Sequence, residues 1–171
     1  MLGPDCHVAH GVYLTAEDRR RLRVRGSAVA LCPRSNRVVG LAPPPVADYL
    51  REGNLIAVGT DSLSSSPSLD VLADLAELAK LARQQGYHEP DLYGRLLRAA
   101  TLGGAMALGL GVGRDRVGQL QAGAVADMTF LDIEVSDVAE TIEAVVRHGA
   151  GTQAATMVSG QLRWHSPAFP S

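Results

Sequence analysis

Asn54-Leu55-Ile56-Ala57-Val58-Gly59-Thr60-Asp61-Ser62 is the stretch that decides the fold. Five residues, mostly apolar, read as a buried strand of a parallel sheet, and the run stops at a glycine, a hydroxyl and a carboxylate. In α/β folds ligands gather at the carboxyl ends of such strands, which places Asp61 where chemistry is usually done. A carboxylate there can ligate a divalent metal, take a proton from an activated water, or cap the helix that follows.

Working toward the N-terminus, the same strand-loop-helix pattern recurs. The opening His7-Val8-Ala9-His10-Gly11 enters a short strand almost at once. Thr15-Ala16-Glu17-Asp18 then carries a capping signature for a charged helix through about Arg25 that Gly26 ends. Ala28-Val29-Ala30-Leu31-Cys32 is a second short strand, stopped by Pro33 and followed by a polar loop, Arg34-Ser35-Asn36-Arg37. Past the proline run, residues 46–51 read as a short helix ended by Gly53. Three strand-loop-helix units therefore lead to Asp61.

Toward the C-terminus, residues 68–83 form an amphipathic pattern with Leu72, Leu75 and Leu78 on one face. Residues 91–102 and 104–108 read as two further helices. Gly109-Leu110-Gly111-Val112-Gly113 is a turn-rich connector; no strand precedes it and no Lys-Ser/Thr follows, so it is not a phosphate loop. From Val117 the pattern changes to short strands at 117–120, 126–132 and 155–164, with a hairpin turn at Ser159-Gly160 or Gly160-Gln161.

Bulk properties narrow the function classes. The 171 residues are 46% hydrophobic with a net charge of -2, ordinary for a globular chain and unlike a nucleic-acid or anionic-membrane binder. Cys6 and Cys32 match neither a CxxC metal pair nor a disulfide scaffold, and no apolar stretch is long enough to span a bilayer. A cytoplasmic location is the expectation. Of the five histidines, His10 ends the first strand and is the candidate to pair with Asp61; His7, three residues earlier, is expected to be packed in the core. Only Asp61 is nominated as a metal ligand, whereas a catalytic zinc takes three protein ligands.

Four motifs in order, Ala9-His10-Gly11-Val12-Tyr13-Leu14, Cys32-Pro33-Arg34-Ser35-Asn36, Val58-Gly59-Thr60-Asp61-Ser62 and Gly118-Gln119-Leu120-Gln121-Ala122-Gly123-Ala124-Val125-Ala126-Asp127, resemble the amidohydrolase superfamily. Within it they are similar to the aminohydrolase and chlorohydrolase branch, closest to aminodeoxyfutalosine and adenosylhomocysteine-type deaminases. The resemblance implies an α/β fold: residues 1–113 as the last three βα units of a metal-dependent (β/α)8 TIM barrel, and residues 114–171 as a small β-sandwich element. It implies hydrolytic deamination of a purine-like amine, with Asp61 as metal ligand and proton acceptor and His10 polarising the water or leaving group. Arg34, Ser35, Asn36 and Ser62 would line the substrate pocket.

The implied cofactor is a divalent metal, zinc with iron as the alternative, and its remaining ligands lie on barrel strands that this sequence lacks. A barrel needs about 250 residues, so the expectation is the C-terminal portion of an aminohydrolase, inactive alone and completed by a missing barrel half or a second copy. Two other readings stand beside it: a non-catalytic part-barrel that serves as an interaction or structural protein, and an independent open α/β domain in which Asp61 only caps a helix.

Overall fold

The computed structural model describes residues 2–170 and contains two three-stranded sheets. In the first, β1 (His7–Ala9), β2 (Ala28–Leu31) and β3 (Ile56–Val58) lie side by side in sequence order and run parallel. The register pairs Ala9 with Ala30 and Leu31 with Val58. Two further bonds, His10 N–H to the Ala30 carbonyl at 2.8 Å and Gly59 N–H to the Leu31 carbonyl at 3.0 Å, carry the ladder past the strand ends. His10, Cys32 and Gly59 therefore leave the sheet at the same edge, and this alignment builds the site.

Helices make the crossovers. α1 (Ala16–Arg25) opens on the Thr15–Asp18 capping box and closes on Gly26 in the left-handed region. Buried Arg19 ties it to α3 (Val46–Glu52) through Glu52, with Nη2 to Oε1 at 2.7 Å. The segment after β2 is not the expected loop: Pro33 sits at the first helical position, and α2 spans Pro33–Val38. Proline lacks only an N–H that a helix start leaves unpaired anyway, so here it opens a helix as well as ending a strand.

α4 (Val71–Gln84) buries Leu75, Leu78, Ala79 and Ala82 against the sheet, and its N-cap is Asp70, which accepts from the Leu72 N–H at 3.0 Å. The two expected helices after residue 90 are one continuous helical run: α5 (Leu92–Arg98), a π-helical segment (Ala99–Gly103) and α6 (Gly104–Ala107). Gly103 does not end a helix, because it stays helical where the run presses on the Ile56 carbonyl of β3.

The second sheet is antiparallel, with β4 (Met128–Leu131), β5 (Gln153–Val158) and β6 (Gln161–His165) in that order. Ser159 and Gly160, both at positive φ, make the β5–β6 turn, which settles the turn position. The strand expected at 117–120 is absent: Gly118 turns left-handed against Leu102 and Ala105, and the Arg116 guanidinium holds the Gly113, Ala122 and Gly123 carbonyls in a compact loop. Between β4 and β5 lies a helix that the strand pattern hid, α7 (Thr141–His148). Its Val146 is fully buried in the core shared with α4 and α5. No helix of the described residues is long and apolar enough to cross a membrane.

Candidate active site

Asp61 follows β3 with φ at 63°, and its carboxylate is gripped from three directions. Oδ2 accepts from the Ser35 hydroxyl at 2.8 Å and the Ser65 hydroxyl at 2.9 Å, and Oδ1 accepts from the Ser62 N–H at 2.8 Å. The Ser35 hydroxyl first, then the Ser65 hydroxyl and the Ser62 backbone N–H, hold its carboxyl below the usual carboxylate range, so Asp61 is ionised at neutral pH. The helix-cap alternative fails, since Asp70 caps α4 and Asp61 organises only the Ser62–Ser65 turn.

His10 ends β1 with φ at 65° and faces Asp61, Nε2 lying 3.8 Å from Oδ2. Its other ring nitrogen, Nδ1, is 2.7 Å from Oδ1 of Asn36 on α2. The next residue, Gly11, also at positive φ, accepts the buried Tyr49 hydroxyl on its carbonyl at 2.6 Å, which anchors the turn that aims the ring. Both side chains are partly open, 31% exposed for His10 and 37% for Asp61, so a small molecule can reach them.

Of the remaining sequence candidates, Ser35 and Asn36 are fully buried beneath this pair, whereas Ser62 is exposed beside it and bonds Ser64. Arg34 does not join them. Its Nε donates to Asp74 Oδ2 at 2.9 Å, Nη1 to Ser68 Oγ, and Nη2 to the Ser68 and Asp70 carbonyls, which commits four of its five N–H donors to the scaffold. His7 is not packed in the core but exposed, because among the described residues β1 has a strand neighbour on one side only. Serine 65 is the residue that sequence reasoning missed; its signal was the serine run directly after Asp61.

Cys6 and Cys32 are free thiols. Burial, then the nearby carboxylates of Asp61 and Asp74, pushes the Cys32 thiol up to about 11, so it stays protonated at neutral pH. Among the described residues no group of three or more His, Cys, Asp or Glu side chains could hold a metal ion. Asp61 fits one corner of such a site: of the roughly four lone-pair directions of a carboxylate, three are taken by Ser35, Ser65 and Ser62. One direction is left.

Known proteins resemble this chain in sequence and in fold. A 5-methylthioadenosine/S-adenosylhomocysteine deaminase from Pyrococcus abyssi is 34% identical over 127 residues, covering 73% of this chain and 28% of that protein. The structure of an adenosine deaminase from Xanthomonas campestris with bound zinc superposes with a TM-score of 0.85 at 27% identity, covering 96% of this chain and 38% of that one. An atrazine chlorohydrolase from Arthrobacter aurescens complexed with zinc gives 0.76 at 26% identity, over 94% and 36% of the two chains. The chain thus spans about a third of the length of these relatives. The family model described as "Amidohydrolase family" matches residues 1–163, and with these relatives it shows that the chain belongs to the amidohydrolase family.

Proposed function

We propose that this chain is the Asp61–His10 part of a metal-dependent enzyme that hydrolytically deaminates a purine-like amine. The observation that carries the reading is the convergence of an ionised carboxylate and an imidazole, 3.8 Å apart, on the carboxyl edge of a parallel sheet. In this proposal β1, β2 and β3 are the last three strands of a (β/α)8 barrel, residues 1–113 belong to it, and residues 114–171 form a small β-sandwich element. The other barrel strands, and the remaining metal ligands, come from another segment or another copy. The enzyme is taken to be cytoplasmic, with a small-molecule amine as its partner and no nucleic acid.

Asp61 would hold a divalent metal, zinc or alternatively iron. When bound, the metal supplies Lewis acidity that makes water nucleophilic near neutral pH. Asp61 takes the proton of the attacking water, and the hydroxyls of Ser35 and Ser65 keep its carboxylate aimed while the charge changes. His10 orients that water or the departing amine from the end of β1, two strands from Asp61. Ser62 borders the substrate, Ser35 and Asn36 support the reacting pair from beneath, and Arg34 braces the wall behind them through Asp74. Water adds to the carbon bearing the amine, the C–N bond breaks, the amine leaves as ammonia with the proton that Asp61 took, and the second proton of the water ends on the adjacent ring nitrogen of the carbonyl product.

Of the substrate types the motifs resemble, the relatives' names support the adenosylhomocysteine type. The test is ammonia release from adenosine, 5-methylthioadenosine and S-adenosylhomocysteine by the zinc-saturated parent protein. Turnover is expected, and Asp61→Ala is expected to abolish it; retained activity in that variant would overturn the assignment. The 171-residue chain alone is expected to release none, since one carboxylate is a single ligand.

A further inference from the structure

Asn36 is fully buried, and its amide is split between two fates: Oδ1 lies 2.7 Å from His10 Nδ1, while Nδ2 has no hydrogen-bond partner among the described residues. An amide oxygen can only accept, so at this distance Nδ1 must carry the ring proton. A neutral imidazole has one N–H, and its Nε2 is then a bare lone pair directed at the space beside Asp61 Oδ2. Histidine free in water prefers the opposite form, with the proton on Nε2, and the nearby carboxylate pulls the same way. The protein opposes both through one buried oxygen, whose backbone is held by the Cys32 carbonyl at 3.0 Å and the Leu41 N–H at 2.7 Å.

We propose that Asn36 is a positioning residue that locks His10 in the Nδ1–H tautomer, so that its Nε2 lone pair and the Asp61 carboxylate form a pair of acceptors facing one small donor or cation. The proposal deepens the reading of His10 and Asp61 as the reacting pair and rests on it for its meaning. Two acceptors 3.8 Å apart repel weakly when the space between them is unfilled, and attract a water that donates to both or an ion that both can touch. A ring with Nε2–H could only donate toward Asp61 and would close that space with a direct bond. Asn36 thereby sets whether His10 can accept a hydrogen bond from the reacting water and so orient it.

The experiment is nitrogen-15 NMR of the histidine ring in the full chain, without metal or substrate, at a pH where free imidazole is neutral. The expected spectrum has the His10 Nδ1 signal in the protonated range and Nε2 in the bare range. Asn36→Ala is expected to shift the ring to Nε2–H, and Asn36→Asp, which keeps an acceptor, to restore Nδ1–H. Nε2–H or a doubly protonated ring in the unmodified chain would overturn the proposal, as would Nδ1–H persisting in a folded Asn36→Ala. Should Asn36→Ala fail to fold, the unmodified chain and Asn36→Asp decide between the same outcomes. The spectrum reads the tautomer without turnover, so a parent enzyme inactive on purine-like amines would refute the function and leave this result standing.

Discussion

Replacing Gly103 by alanine sets two effects of opposite sign against each other. Alanine in a helix interior is worth about 1 kcal/mol over glycine, and Gly103 is helical, so propensity alone predicts a more stable protein. The structure predicts the reverse. A Cβ built at Gly103 lies 2.3 Å from the Ile56 carbonyl oxygen of β3, 3.2 Å from the Arg98 carbonyl and 3.5 Å from the Ile56 carbonyl carbon. An ordinary carbon-oxygen contact is about 3.3 Å, so helix and strand must part by about 1 Å. Overpacking costs about 1–3 kcal/mol, and the upper end applies because the obstacle is strand backbone and not a flexible side chain. The net loss is about 2 kcal/mol, or roughly 4–8 °C in melting temperature for a chain of this size. Gly104 next to it is the internal control: its nearest obstacle is the Ala99 carbonyl at 3.9 Å, so Gly104→Ala is expected to gain up to about 1 kcal/mol. Urea unfolding followed by circular dichroism measures both. A Gly103→Ala variant as stable as the parent, or two neighbours that shift in the same direction, would refute the close-approach argument.

Arg34→Met strands the Asp74 carboxylate, which has no solvent exposure, and is expected to cost about 3–5 kcal/mol. Burial already raises the Asp74 carboxyl above its ordinary range, so proton uptake softens the loss, and Arg34→Met with Asp74→Leu should recover most of it. Equal urea midpoints for the single and double variants would show that the pair is not the source. Asp61 has its folded pKa lowered, by Ser35 first, so its contribution to stability is full above the unfolded value near pH 4 and is lost as pH falls through the folded value. The stability gap between the parent and Asp61→Asn is therefore expected to narrow in urea titrations carried from about pH 6 down to about pH 3; a gap constant over that range contradicts the hydrogen-bond network.

What was legible in the sequence follows from where local signals and packing agree. β3 and α4 are readable because an apolar run and a leucine face at helical spacing each coincide with burial, with Leu75 and Leu78 fully enclosed. Asp61 and His10 are readable as strand-end residues, since parallel register brings every strand end of a unit to one edge. α7 is hidden because Ile142, Val145 and Val146 are β-branched and suggest a strand, although the Glu143–Arg147 pair at helical spacing marks it. α2 is hidden because Pro33 reads as a stop. Arg34 was legible as a charge near the pocket, but the carboxylate that claims it lies forty residues away in α4, a pairing that no local pattern shows.

Backbone conformation adds a kind of evidence that composition cannot supply. Among the described residues three non-glycine positions have positive φ: His10 at 65°, Asp61 at 63° and Ser159 at 51°. For an L-residue that region costs roughly 1–2 kcal/mol relative to the right-handed one, and glycine would relieve it at all three places. Ser159 has a geometric reason, being half of a two-residue hairpin turn followed by Gly160. His10 and Asp61 have no such turn between paired strands to close. Each stands where its parallel strand ends, and each turns there so that its side chain meets the other's over the sheet edge. A chain selected only to fold would place glycine at both positions, as it does at Gly11, Gly26 and Gly53. Keeping an imidazole and a carboxylate at two strained positions on the loops after β1 and β3, with Asn36, Ser35 and Ser65 spent on holding them, is the pattern expected of a site whose chemistry outweighs its local stability.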